Sequence, residues 1–287
     1  MLRCFVSDLD GTLLDDNDSI AVESAAIIKQ AMKQGYAFMI ASGRSKESVD
    51  KLLKSHQISC TRILCNGALI LAKDDSILYS RPLDTKRIEA MISILEQLCF
   101  DVQLYTSKGH VAFNANRIFQ RFVLETMKKR NLTRIQAEAY INEHFCFDYQ
   151  EIVFDWDSYL KKAPVIYKLE AYCDEEAALH KAIQSLKTVE NIDVNVVKLG
   201  LEITDINAQK KTSLDWLSKK LDIDKHEVAV FGDGMNDLRM IESYPYSFAP
   251  QNAAVDIKEA AAYVIDANDK QGVAKTIQHI MTLQKDI

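Results

Sequence analysis

Apolar positions near the start of the chain follow two alternating rhythms. Arg3-Cys4-Phe5-Val6-Ser7 is a short β-favouring run, and Ile27, Ile28, Ala31 and Met32 then line one side of a helical stretch from Ile20 to Gln34. Gly35 supplies the stop. Tyr36–Ala41 reads as a second strand, Lys46–Ser55 as a helix with Val49, Leu52 and Leu53 inward, and Arg62–Cys65 as a third strand. This rhythm predicts a parallel sheet covered by helices on both faces. Asn66-Gly67 and Asp74-Asp75 are turn signals, so Ala68–Leu71 and Ile77–Tyr79 read as an antiparallel flap or hairpin.

From about Asp84 the rhythm changes. An amphipathic stretch, Lys86–Leu98, leads into strand-like Val102–Tyr105 and Val111–Asn114, then into polar helical segments at Arg117–Lys129 and Arg134–Glu143. Strands at Val165–Tyr172, Val194–Val197 and Leu201–Thr204 flank a helix at Glu175–Leu186. Without strict alternation, this stretch predicts an α+β insert rather than more of the same sheet. The first rhythm then returns: helix Thr212–Leu221, strand Val228–Gly232, helix Asn236–Ser243, a short strand around Phe248, and a last helix from Gly272 to about Leu283. The expected fold class is therefore α/β. A discontinuous, Rossmann-like core at 1–81 and 196–287 is split by an inserted α+β cap domain at 82–195.

A chain of 287 residues has room for these two domains. Its net charge of −6 argues against nucleic acid as the main ligand, though a metal and a few cations can reverse the field inside one cleft. No apolar segment is long enough to span a bilayer, and no basic leader precedes a hydrophobic run, so no membrane association and a cytoplasmic location are expected. Cys4, Cys60, Cys65, Cys99, Cys146 and Cys173 are scattered without a Cys-x-x-Cys pair; most are expected as buried thiols.

Four segments carry chemistry, each where a core strand should end, the edge at which open α/β sheets hold ligands. Asp8-Leu9-Asp10-Gly11-Thr12 follows the first strand. Residues two apart share a strand face, so Asp8 and Asp10 reach one pocket if that geometry lasts through the turn. Two acids held together repel unless a cation relieves them, and such a pair suits chemistry in which one attacks and the other manages a proton. Ala41-Ser42-Gly43-Arg44 offers a hydroxyl, a close backbone approach and helix N-terminal amides, an anion cradle, or merely an ordinary strand-to-helix turn. Lys210 opens a helix against its dipole; contact with a phosphate oxygen would explain it, and an ordinary surface lysine beside Lys211 is the alternative. Phe231-Gly232-Asp233-Gly234-Met235-Asn236-Asp237 brings two further carboxylates; a central Asp and a missing third glycine rule against a dinucleotide fingerprint. Hard oxygen donors at Asp8, Asp10 and Asp233 favour Mg²⁺ over zinc.

Taken in order, Asp-x-Asp-Gly-Thr, Ser-Gly-Arg, Lys and Gly-Asp-Gly-x-Asn-Asp resemble the haloacid dehalogenase superfamily, and more narrowly its Cof-type phosphatases, whose α+β cap is inserted between the second and third motifs. Asn66-Gly67-Ala68, Glu202-Ile203-Thr204, Asn252-Ala253 and Gly272-Val273-Ala274 extend the likeness along the chain. The resemblance implies a Mg²⁺-dependent phosphatase of small phosphorylated metabolites such as sugar phosphates, pyridoxal phosphate or flavin mononucleotide. It implies Asp8 as nucleophile through an aspartyl-phosphate and Asp10 as acid and base. The metal would be held by Asp8, the Asp10 main-chain carbonyl and Asp233. Phosphate oxygens would be held by Ser42, Lys210, Asn236 and the amides of Leu9 and Gly43, with Asp237 and Arg44 in support. Within the same resemblance stands a phosphotransferase or sugar-phosphate mutase; a non-catalytic phospho-acceptor module, phosphorylated on Asp8, is a rival of a different class. The chain departs from the family pattern at Ser42, where Thr is commoner, at Asn207 and Lys211, where glycine is usual, and at Pro250-Gln251. Asn207 is expected to tolerate a positive φ there.

Overall fold

The structure, a computed structural model, describes residues 1–144, 151–197 and 200–284. The predicted Cys146 thiol falls outside them. Backbone contacts divide the chain into two compact units: Met1–Arg44, Val49–Ser80 and Ala208–Ile287 form the first, and Ser45–Ser48 with Arg81–Asn207 the second.

In chain order the opening part holds β1 (Cys4–Ser7), α1 (Val22–Lys33), β2 (Ala37–Ala41), α2 (Lys46–Ser55), β3 (Thr61–Leu64), β4 (Leu69–Leu71) and β5 (Ile77–Ser80). The middle holds α3 (Thr85–Gln97), β6 (Asp101–Thr106), β7 (Gly109–Ala112), α4 (Ala115–Arg130), α5 (Arg134–His144), β8 (Glu151–Ile152), α6 (Trp156–Leu160), β9 (Ile166–Tyr172), α7 (Glu176–Leu186), β10 (Ile192–Val197) and β11 (Gly200–Asp205). The last part holds α8 (Lys210–Lys220), β12 (Val228–Phe231), α9 (Leu238–Ser243), β13 (Tyr246–Pro250), α10 (Val255–Ala260), β14 (Tyr263–Ile265) and α11 (Gly272–Leu283).

The first unit is built on a sheet ordered β14-β13-β12-β1-β2-β3-β4-β5. The pairs from β14 to β3 are parallel, and the β3-β4-β5 pairs are antiparallel, as the two turn signals require. Strands β1 and β12 are buried at every position, which is why they read as unbroken apolar runs. Cys4 and Val6 on one face pack with Val228, Val230, Met240 and Leu214. β1 and β12 lie side by side, Ser7 opposite Phe231. Their C-terminal ends therefore deliver the first and last acidic loops to one place.

The second unit is built on a sheet ordered β10-β11-β9-β6-β7-β8. One face buries Val102, Leu104, Leu169, Ala171, Leu201 and Ile203 against the apolar stripe of α3 (Ile88, Met91, Ile92, Leu95) and against α7 (Leu179, Ala182, Leu186). Here the expected boundary at 195 gives way to Asn207. β11 hydrogen-bonds antiparallel to both β10 and β9, and its inward Leu201 and Ile203 complete this core. Asn207 is not among the residues with a positive φ; its N–H instead donates to the Asp205 carboxylate at 3.0 Å. Four of the five described cysteines are buried, Cys99 being exposed. Among the described residues no helix is long and apolar enough to cross a membrane.

Candidate active site

The hydrogen-bond ladder between β1 and β12 runs one residue past the strand, with the Asp8 N–H donating to the Phe231 carbonyl at 3.0 Å. That bond fixes Asp8, 6% exposed, beside the loop that begins at Gly232. Asp237, fully buried, organises this loop from within: its Oδ2 accepts the N–H groups of Asp233 at 3.2 Å and Gly234 at 3.1 Å. Thr12 Oγ1 donates to Asp233 Oδ1 at 2.7 Å, tying the last loop to the first. Gly11 adopts φ +74°, and a Cβ there would collide with Asp233 Oδ2, so only glycine admits that carboxylate. Carboxylate oxygens of Asp8, Asp233 and Asp237 thus lie within 4.8 Å of one another.

Lys210 answers the charge. Its ammonium, 1% exposed, donates to Asp8 Oδ1 at 2.7 Å and Asp237 Oδ1 at 2.8 Å. The lysine that opens α8 against the helix dipole is therefore explained by two carboxylates. Burial alone would push its pKa down, but Asp237 and Asp8 outweigh burial and hold it above its ordinary value.

One ammonium does not neutralise three carboxylates. Burial pushes Asp8 well above the carboxylate range; Lys210 pulls it back only in part, and Asp237, Asp233 and Asp10 add to the rise. Asp233 is pushed up to about 6, by burial first and then by Asp237, against the Thr12 hydrogen bond that lowers it. Two like charges at this separation repel by roughly 3 kcal/mol at an effective dielectric of about 20. The cluster fits a hard divalent cation, which oxygen donors alone can hold and whose charge would settle the imbalance.

Asp10 departs from the expected arrangement. Its carboxylate is not in the acidic cluster but half exposed, held by Arg44 Nε at 2.8 Å and Nη2 at 2.5 Å. The strand geometry that would align Asp8 with Asp10 does not survive the turn: β1 ends at Ser7, and Leu9, between the two aspartates, is already in a helical turn. Asp237 takes the third place in the carboxylate group. Arg44, 11% exposed at its side chain, is an ion-pair partner of Asp10.

The remaining expected residues form a second ring of contacts. Ser42 is fully buried and its Oγ accepts the Arg44 N–H at 3.2 Å. Asn236 Nδ2 donates to Asn66 Oδ1 at 3.1 Å. A Cβ on Gly43 would stand 2.8 Å from that same oxygen, so Gly43 makes room for Asn66. Leu9, buried, closes the first loop by accepting the Leu14 N–H at 2.9 Å. Thr12, Asn66 and Asn252 hold the loops together yet were not among the expected site residues. All three stand inside motifs of the family resemblance, and Asn252 Nδ2 reaches the Gly11 carbonyl at 2.7 Å across 241 positions. Pro250-Gln251 leave that turn intact, since Pro250 pairs with Ile265 and the Gln251 N–H donates to the Ile265 carbonyl.

Comparison with known proteins agrees with this geometry. Residues 5–277 match the family described as haloacid dehalogenase-like hydrolase. Phosphatase YwpJ of Bacillus subtilis is 24% identical, over 98% of this chain and all of that protein. The 5-amino-6-(5-phospho-D-ribitylamino)uracil phosphatase YcsE of the same organism is 23% identical over 97% of this chain and 95% of its own. Among solved structures, a haloacid dehalogenase-like hydrolase from B. subtilis superposes with a TM-score of 0.86 at 22% identity, covering 97% of this chain and 99% of that one. TM0651 from Thermotoga maritima gives 0.78 at 24% identity, covering 97% of each. These two share the fold. With acids gathered at strand ends and a family match over nearly its whole length, the chain belongs to the haloacid dehalogenase-like hydrolases and is a phosphatase of that family.

Proposed function

We propose that the chain hydrolyses small phosphorylated metabolites with Mg²⁺ and through a phosphorylated Asp8. The observation that carries this reading is the convergence of the Asp8, Asp233 and Asp237 carboxylates, with the buried Lys210 ammonium bridging Asp8 and Asp237. Asp8, Asp233 and the Asp10 main-chain carbonyl would hold the ion, which when bound offsets negative charge on the transferring phosphoryl group. Lys210, Ser42, Asn236 and the amides of Leu9 and Gly43 would hold phosphate oxygens and fix phosphorus in line with Asp8.

An Asp8 carboxylate oxygen attacks phosphorus, and the bond from phosphorus to the alcohol oxygen breaks. The Asp10 carboxyl gives its proton to the departing alkoxide. Asp10, now a carboxylate, takes a proton from water as the water oxygen attacks the same phosphorus. The bond to Asp8 then breaks, inorganic phosphate leaves, and Asp10 is again protonated. Arg44 orients that carboxylate. Sugar phosphates, pyridoxal phosphate and flavin mononucleotide are candidate substrates. Relatives named for a ribitylaminouracil phosphate add that ester to the panel.

Asp8→Asn tests the reading. With p-nitrophenyl phosphate and Mg²⁺, the variant should lose at least about 10³-fold in kcat while keeping its circular dichroism spectrum. Near wild-type release of p-nitrophenol would reject Asp8 as the nucleophile, and full activity in EDTA would reject the metal.

A further inference from the structure

The short turn after β13 carries no reactive group, yet it holds both acidic loops of the site. Asn252 Nδ2 donates to the Gly11 carbonyl at 2.7 Å, and the Ala254 N–H donates to the Asp233 carbonyl at 3.2 Å. Asn252 is itself held, its Oδ1 accepting the Asn268 N–H at 3.0 Å. Asn268, buried, sends its own Nδ2 to the Leu14 carbonyl at 2.8 Å, so the first loop is fastened at two points from the far end of the chain. Gly11 is the residue whose missing side chain admits Asp233 Oδ2. The Asn252 carboxamide therefore fixes the peptide on which the separation of the two acid loops depends.

We propose that Asn252 is a positioning residue that presets the distance between Asp8 and Asp233 for a divalent cation. The inference rests on the metal reading of the site given above. Without a cation the carboxylates repel, and loops free to yield would drift apart; each binding event would then have to draw them back together. A preset spacing avoids that reorganisation, the same way outer partners of metal ligands raise affinity without touching the ion. Asn252 is exposed, so trimming its side chain opens no cavity in the core.

Isothermal titration of MgCl₂ into the full-length protein tests this directly, with kcat and KM for p-nitrophenyl phosphate at saturating Mg²⁺ alongside. Asn252→Ala should weaken Mg²⁺ binding by about 10- to 100-fold while leaving the metal-free melting temperature unchanged. At saturating Mg²⁺ its KM should stay near wild type and kcat should recover most of its value. Gln251→Ala, altering the exposed neighbour, should bind Mg²⁺ as wild type does. If the alanine variant melts early, Asn252→Ser, a polar turn residue too short to reach Gly11, carries the same expectation. Unchanged Mg²⁺ affinity in both Asn252 variants overturns the inference and leaves the metal reading standing. A wild-type protein that takes up no Mg²⁺ overturns both.

Discussion

Two lysines among the described residues are fully buried, one in each unit, and each sits between two carboxylates. Lys168 on β9 donates to Glu170 at 2.6 Å and Glu202 at 3.0 Å and lies 4.2 Å above the Tyr105 ring. Glu170 also accepts the Tyr172 hydroxyl. Burial pushes Glu170 up, but Lys168 and these hydrogen bonds win and hold it below the usual range. Lys210 has the same two-carboxylate setting plus a third acid, Asp233, and there the balance runs the other way: Asp8 and Asp233 stay raised. The lesson concerns what is left over. A buried lysine whose partners are satisfied is a fastening within a sheet, whereas one set among acids that remain charge-strained is a candidate functional site.

Replacing each lysine by methionine separates the two roles, and here the largest effects are expected. Lys210→Met should lower kcat for p-nitrophenyl phosphate by about 10²- to 10³-fold, because a preorganised cation facing the phosphate is gone. Lys168→Met should destabilise the protein by about 3–5 kcal/mol by leaving Glu170 buried beside no cation, with kcat of the folded fraction changed only a few-fold. Thermal melts and initial rates on both variants check the contrast. A Lys168→Met protein that melts normally but is inactive would make the second cluster a site as well, and the distinction would fail.

The difference also explains what could be read from the residues alone. β1, β2 and β12 are buried on both faces and announce themselves as apolar runs, with Asp8, Ser42 and Asp233 at or just past their ends. Lys168 and Glu170 sit two apart on β9 and look like the solvated face of a half-buried strand. Strands paired on either side, carrying Tyr105 on β6 and Glu202 on β11, enclose them, and that pairing comes from tertiary structure. The direction of Asp10 is hidden for a similar reason: the strand ends at Ser7 and Leu9 is already in a helical turn, so alternation is broken before Asp10, whose carboxylate pairs with Arg44. The exposed edge strand β14 and the two-residue β8 lack the burial that makes periodicity visible.

If surplus charge distinguishes the first cluster, removing one of its acids should relieve the fold even as it disables the site. Asp233→Asn keeps an oxygen for Thr12 Oγ1 to donate to and takes one carboxylate out of the repelling set. In EDTA near neutral pH the variant should be more stable than wild type by about 1–2 kcal/mol, allowing for the partial exposure of Asp233. It should also lose the Mg²⁺-dependent rise in melting temperature that wild type is expected to show. A metal-free Asp233→Asn protein less stable than wild type would mean that Lys210 already balances the cluster.

The smallest effect tests the second cluster through pH. Glu170 is held below its usual 4.5 in the folded chain, so the folded state binds its proton less readily than the unfolded one. Its contribution to stability is therefore present in full above the unfolded value and is lost as pH falls through the folded one. Glu170→Gln removes that titration while keeping an oxygen for Lys168 to donate to, its amide N–H then facing the Tyr172 hydroxyl oxygen. Urea midpoints measured from about pH 6 down to about pH 3 should then fall less steeply for the variant than for wild type. Equal slopes would mean that burial and the Lys168 ion pair cancel at Glu170, and the second cluster would be no better satisfied than the first.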